Sequence, residues 1–168
     1  MKKLKRIIWL VPALFAAQVA YGQLLKVNQT VFGMDCATCA HGVQEGLQKI
    51  PGVQSAKISL NDGKVMILLD PINHITLSEI RHDIISNGFS PRDAEVEMKG
   101  IMKEINGELA IQVQNEIFWI NPNSASSTLD LLKKKAYSDD PLTVDGHVKN
   151  ISAKGDSDIW QISVEKEL

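Results

Sequence analysis

The 168-residue chain is poor in cysteine: it has two, and they stand three positions apart. That excludes a disulfide framework as the source of its stability, because a bridge across a four-residue loop removes little unfolded-state entropy. It has no excess of positive charge either, with 18 Lys and Arg against 20 Asp and Glu. A nucleic-acid binder needs a basic face, so that class of function is excluded. Long apolar runs are missing as well. The stretch Ile7 to Ala20 is 14 residues long and broken by Pro12, short of the ~20 residues that cross a bilayer. No Ser/His/Asp grouping, phosphate loop or paired acid cluster stands out, and a non-enzymatic role is expected.

What the amino terminus does have is a targeting pattern. Lys2, Lys3, Lys5 and Arg6 precede the apolar stretch, and Ala20-Tyr21-Gly22 places small residues where a signal peptidase reads. Residues 1–22 are therefore expected to be a signal peptide cut before Gln23, giving a secreted, periplasmic protein. The residue directly after that cut is Gln23 and not cysteine, so no lipid anchor is expected, and no membrane span is expected after cleavage. With the four basic residues gone, 14 basic and 20 acidic residues leave a formal charge of −6. Such a chain mildly attracts cations.

Both cysteines lie in Gly33-Met34-Asp35-Cys36-Ala37-Thr38-Cys39. A β-rich stretch precedes the run (Leu24 to Phe32), and a helical pattern follows it, with Val43, Leu47 and Ile50 at i, i+4, i+7. The sulfurs are thus placed between a strand and the first turn of a helix. Free N–H groups and the dipole there favour thiolate over thiol. Two soft anionic ligands on one exposed loop suit Cu(I), or a borderline ion such as Zn(II).

Further elements follow from local pattern. Pro51-Gly52 stops the first helix. Val53 to Leu60 alternates as a strand, with Val53, Ala56, Ile58 and Leu60 apolar. Asn61-Asp62-Gly63 signals a hairpin into a strand over Lys64 to Leu69. Thr76 with Glu79 forms a capping box for a second helix with Leu77, Ile80, Ile84 and Ile85 on its buried face. Arg92 to Met98 is a fourth strand. The order βαββαβ is the ferredoxin-like arrangement, so the fold class is α+β.

Residues 24–98 resemble the heavy-metal-associated domain. Gly33, Met34, Cys36 and Cys39 match its Gly-Met-x-Cys-x-x-Cys signature, and Pro51-Gly52-Val53 and Asn87-Gly88-Phe89 match further positions. The family includes copper chaperones, periplasmic mercury carriers and the N-terminal modules of metal-exporting ATPases. The resemblance implies one Cu(I) or Zn(II) ion per chain, bound by Cys36 and Cys39. It also implies exchange of that ion with a metal-donor or metal-acceptor protein such as a transporter. It places Met34 in the core beneath the loop and Phe89 against the loop. Copper-carrying members usually have Thr or Ser where this chain has Asp35, and Asp there resembles the zinc-, cadmium- and lead-exporting modules, where the carboxylate is a third ligand. Asp35 therefore has two open roles, metal ligand or helix N-cap.

The expected division is 23–98 for this domain and 99–168 for a second, β-rich unit. Ile101 to Ile105, Glu108 to Val113 and Glu116 to Ile120 read as strands, Ser124 to Ala136 as a helix with Leu129, Leu131 and Leu132 apolar. Leu142 to Ile151 and Asp158 to Glu165 complete the unit, with Gly146 as a bulge or bend. Three strands, a helix and two strands is the order of an OB-like barrel. Trp119, Trp160, Met98, Met102 and His147 are read there as packing residues, not as a metal site. A second function stays open: thiol–disulfide redox chemistry at Cys36 and Cys39. Against it, the element order does not suit a thioredoxin fold, and no aromatic flanks the first cysteine.

Overall fold

A computed structural model describes residues 22–138, 140–152 and 158–168. The expected signal segment, apart from Gly22, lies outside the described residues. No helix among the described residues is long and apolar enough to cross a membrane.

The first half builds β1 (Gln23–Phe32), α1 (Ala37–Gln48), β2 (Val53–Ser59), β3 (Lys64–Leu69) and α2 (Leu77–Ser86), and then enters β4 (Ser90–Ile105). The strands run β2-β3-β1-β4, all antiparallel. This is the ferredoxin-like order expected from the pattern. α1 packs on β2 and α2, and α2 on β4. Alternation along β1 and β3 sends Val27, Val31, Val65 and Ile67 inward against Val43, Leu47, Ile80 and Ile84, all buried. Each such side chain contributes about 1.5–3 kcal/mol over its exposed state. The capping box at Thr76 forms as expected, with Glu79 N–H donating to Thr76 Oγ1 at 3.1 Å.

The placing of Ile85 on the buried face of α2 needs correction. Ile85 is 55% exposed, because Ile84 already fills the inward face and the next residue lies 100° around the helix. Leu60 is exposed in the hairpin turn, and Leu131 stands on the outer side of α3 (Ser126–Lys135), whose buried residue is Leu132.

β4 differs most from expectation. The pattern reads two strands divided at Lys99-Gly100; the structure has one of 16 residues. Its first part pairs with β1 through Lys99, and its last part with β5 (Glu108–Val113) from Ile101. Gly100 is not a break. A Cβ there would lie 2.4 Å from Ile111 Cγ2 and 2.8 Å from the Gln112 carbonyl, so glycine permits a close strand approach.

β4 also pairs with β7 (Pro141–Asn150) over Ala94 to Ile101. With β6 (Glu116–Ile120) and β8 (Trp160–Glu167), the order β4-β5-β6-β8-β7 returns to β4 and closes a five-stranded ring. β6 and β8 are parallel, and α3 connects β6 to β7. Met98, Met102, Ile111, Phe118, Leu132, Val144 and Ile162 fill its interior. Met98, Met102 and Trp160 are buried, in keeping with packing roles.

One buried carboxylate fastens the ring to α2. Glu116, on the inward register of β6, accepts hydrogen bonds from Leu77 N–H at 2.7 Å, Ser78 N–H at 3.0 Å and Ser78 Oγ at 2.6 Å. It also accepts from Trp160 Nε1 at 3.0 Å. It satisfies first-turn N–H groups of α2 and places negative charge at the helix's positive end. One turn on, the Arg81 guanidinium lies 5.3 Å from the Trp160 ring centroid and donates to the Arg92 carbonyl. Burial pushes Arg81 below its ordinary pKa, opposed by Asp158 and Asp93.

Candidate metal-binding loop

β1 delivers the chain to one end of the sheet, and Gly33 turns it with φ +91°. A side chain in that conformation is strained, which is why glycine stands there. Met34 then drops into the core at 3% exposure. It anchors the loop from below, as the resemblance implied, and takes no part at the sulfurs. Phe89, half-buried beyond the end of α2, brings its ring to 4.0 Å from where a Gly33 Cβ would sit.

Asp35, Cys36 and Cys39 are all exposed. Cys36 has extended backbone angles (φ −126°, ψ 139°) and is itself the N-cap of α1: its Sγ accepts from Cys39 N–H at 3.1 Å, and its carbonyl accepts from Ala40 N–H at 3.0 Å. The N-cap role left open for Asp35 is therefore filled by the neighbouring sulfur. Asp35 has no hydrogen-bond partner among the described residues, so its carboxylate is free to reorient. The two cysteines are joined as a disulfide, with Cα atoms 5.3 Å apart. Among the described residues no group of three or more His, Cys, Asp or Glu is gathered in metal-holding geometry. The loop offers two sulfurs, and any third donor must move in.

The histidines do not converge on it. His41, two residues past Cys39, pairs with Glu45 at 3.3 Å along the outer face of α1. His147 meets Asp93 at 3.1 Å on the β4–β7 ladder.

Sequence reasoning did not anticipate three residues around the loop and its support. Gln29 is buried in β1 and donates through Nε2 to the Thr30, Arg92 and Asp93 carbonyls, bracing the β1–β4 irregularity behind the loop. Arg92 lies 5.3 Å from the ring centroid of Phe32, itself 66% exposed beside the loop. Together with Asp35, Leu60 and Asp62 these line a cavity of about 270 Å³. The third is Glu116, whose signal was visible: a charged residue on the inward register of an otherwise apolar strand.

Residues 30–90 match the model of the family described as "Heavy-metal-associated domain". A mercuric reductase of Serratia marcescens is 49% identical over 41 residues, which are 24% of this chain and 9% of the reductase. The chain thus spans a small part of that relative's length. Among solved structures, a copper binding domain from HMA7, a P-type ATPase, is 30% identical, with 43% of this chain and 92% of that one covered and a TM-score of 0.38. The CopZ metallochaperone is 29% identical, with 39% and 97% covered and a TM-score of 0.38.

Proposed function

We propose a function from one premise: through residues 30–90 this chain belongs to the heavy-metal-associated domain family. It binds one soft or borderline heavy-metal ion, Cu(I) or Zn(II), through the thiolates of Cys36 and Cys39, and passes it to a partner protein. The observation that carries this reading is the placement of both sulfurs on an exposed loop at the N-terminus of α1. Thiolate is the metal-binding form, and the capping N–H and the helix dipole stabilise it.

Exposure supports transfer as well as binding. With two protein sulfurs the ion keeps open coordination positions, so a partner's thiolate can attach before the first protein thiolate leaves. Two sulfurs suffice to hold Cu(I) while leaving room for a third; Zn(II) seeks more ligands in its resting state. Asp35, exposed and unpartnered next to Cys36, is the third donor for Zn(II), engaged only when metal is present. The partner is a metal donor or acceptor, such as a transporter domain. The basic segment and 14-residue apolar stretch at the amino terminus support export to the periplasm. We read the five-stranded ring as an OB-type barrel, a reading supported by its closed order and the helix between its third and fourth strands.

The test is the Cys36→Ser/Cys39→Ser double variant of the full chain, reduced under anaerobic conditions. Loss of tight Cu(I) and Zn(II) binding with unchanged circular dichroism is expected; unchanged stoichiometry and affinity would sink the reading. A second reading, a thiol–disulfide redox protein, is favoured by the Cys36–Cys39 disulfide. Metal content and thiol titre of the anaerobically reduced wild type separate the two: a redox protein has two free thiols and no bound ion.

A further inference from the structure

We propose that the cleft between α3 and the rim of the five-stranded ring binds an aliphatic carboxylate, with the acyl chain lying in the cleft and the anionic head meeting Lys133. The cleft lies in the second half of the chain, outside residues 30–90, and the inference is independent of the metal-site reading.

The cleft follows from how α3 is seated. Leu132 is the one residue of this helix that is buried, and it enters the ring interior. Leu129, three residues earlier, packs only partly against the core. Beside it lies a hollow of about 550 Å³, within the roughly 300–1,000 Å³ of small-molecule sites. Its apolar walls are Leu109, Trp119, Ile120, Leu129, Ile151 and Ile159. Ile151 and Ile159 stand side by side across the β7–β8 connection, where Ile151 N–H donates to the Ile159 carbonyl at 2.8 Å. The backbone thus holds both side chains at the cleft while leaving them 51% and 41% exposed. An aliphatic chain seated there takes that apolar surface out of water.

Charge selects the head group. Lys133 follows Leu129 by four residues, on the same face of α3, and lines the same hollow. Its ammonium has no partner among the described residues, whereas Lys135 is paired with Glu167 at 3.5 Å. Glu108 also lines the hollow, from the β4–β5 turn, and opposes an anion, but it makes no ion pair that would neutralise Lys133. Trp119 and Gln161, neighbours in the β6–β8 register, add an indole N–H and an amide that are likewise without partners among the described residues. A carboxylate accepts from such donors.

The sheet selects an acyl chain over a peptide. A peptide that adds as a strand needs an edge with free N–H and C=O groups. β5 is paired with β4 and β6, β6 with β5 and β8, and β8 with β6 and β7. The strands that wall the cleft therefore have no edge to offer, and a peptide backbone entering it would lose its water without regaining hydrogen bonds. An aliphatic chain has no such groups to satisfy. Affinity then has two parts. Each CH₂ removed from water tightens binding about fourfold until the cleft is full. The exposed ion pair at Lys133 adds about two- to fivefold.

The experiment titrates the full chain with hexanoate, octanoate and decanoate, each below its micelle concentration, and follows binding by calorimetry and tryptophan fluorescence. Saturable binding that tightens about fourfold per CH₂ is expected, with a fluorescence change that Trp119→Phe removes. Lys133→Gln should weaken octanoate about two- to fivefold and leave 1-octanol unchanged. Ile159→Asp and Ile151→Asp change exposed side chains, so far-ultraviolet circular dichroism should stay the same while octanoate and 1-octanol both weaken at least about tenfold. No saturable binding of decanoate overturns the proposal. Binding that survives both aspartate variants places the ligand elsewhere and overturns the site. Equal affinities for octanoate and 1-octanol in the wild type overturn the role of Lys133, and tighter binding of the peptide acetyl-Leu-Ile-Leu than of decanoate overturns the choice of occupant.

Discussion

Replacing Glu116 by alanine tests how the two halves of the fold are joined. The carboxylate accepts four hydrogen bonds, three on one oxygen and one on the other. Alanine leaves the Leu77 N–H and the Trp160 Nε1–H without acceptors, in residues 1% and 2% exposed. The Ser78 groups are half-buried and can turn to water. Two orphaned buried donors cost about 1–3 kcal/mol each. Loss of the charge at the N-terminus of α2 adds roughly 0.3–1 kcal/mol. Water entering the vacated space softens the upper limit, so we expect a total near 3–5 kcal/mol. For a domain of this size each kcal/mol lowers Tm by about 2–4 °C, which predicts a fall of roughly 10 °C. Glu116→Gln should fall between: its oxygen still accepts from Ser78 and Trp160, but its amide nitrogen faces the Leu77 N–H, donor against donor. Urea unfolding followed by tryptophan fluorescence and far-ultraviolet circular dichroism measures both variants. A loss below about 1 kcal/mol for alanine would refute the clamp and mean that β1–β4 pairing alone holds the ring in place.

Asp35→Thr should weaken Zn(II) binding about tenfold, about 1.4 kcal/mol, and leave Cu(I) almost unchanged; an unchanged Zn(II)/Cu(I) affinity ratio in chelator competition would remove Asp35 as a ligand. A fragment of residues 23–98 should be less stable than the full chain and prone to self-association, because it bares the β4 edge that pairs with β7 and removes Glu116 from α2; sedimentation and thermal unfolding read both. Gly146→Ala should cost about 1–3 kcal/mol, since its Cβ would lie 2.8 Å from Ile162 and from the Ser163 carbonyl; an unchanged urea midpoint would contradict that close approach. Hydrogen bonds from Lys64 and Asn28 hold the Glu95 pKa below its ordinary value, so its contribution is present above the unfolded carboxylate pKa and is lost as pH falls through the lower folded one. Glu95 is exposed and solvent-screened, so Glu95→Gln should flatten the acid limb of the stability curve by a fraction of about 1 kcal/mol, less at high salt.

By itself the sequence determined what depends on neighbours a few residues apart. The loop from Gly33 to Cys39, the capping box at Thr76 and Glu79 and the turn at Gly63 are set by φ preference and by contacts within one turn or hairpin, and all stand where the pattern put them. Periodicity likewise placed Val43, Leu47, Ile80 and Ile84 in the core, because a helix repeats every 3.6 residues whatever surrounds it. Only the tertiary structure decided which edges meet. Lys99-Gly100 looked like a boundary because glycine weakens a strand in isolation; against Ile111 and Gln112 it becomes the residue that lets two strands touch. Closure of the ring through β4 and β7, the choice of Glu116 as the acceptor for α2, and the capping of α1 by Cys36 rather than Asp35 depend on side chains up to tens of residues apart or on the course of the chain in space. Hydrogen-bond direction and burial select among such partners only after folding brings them together.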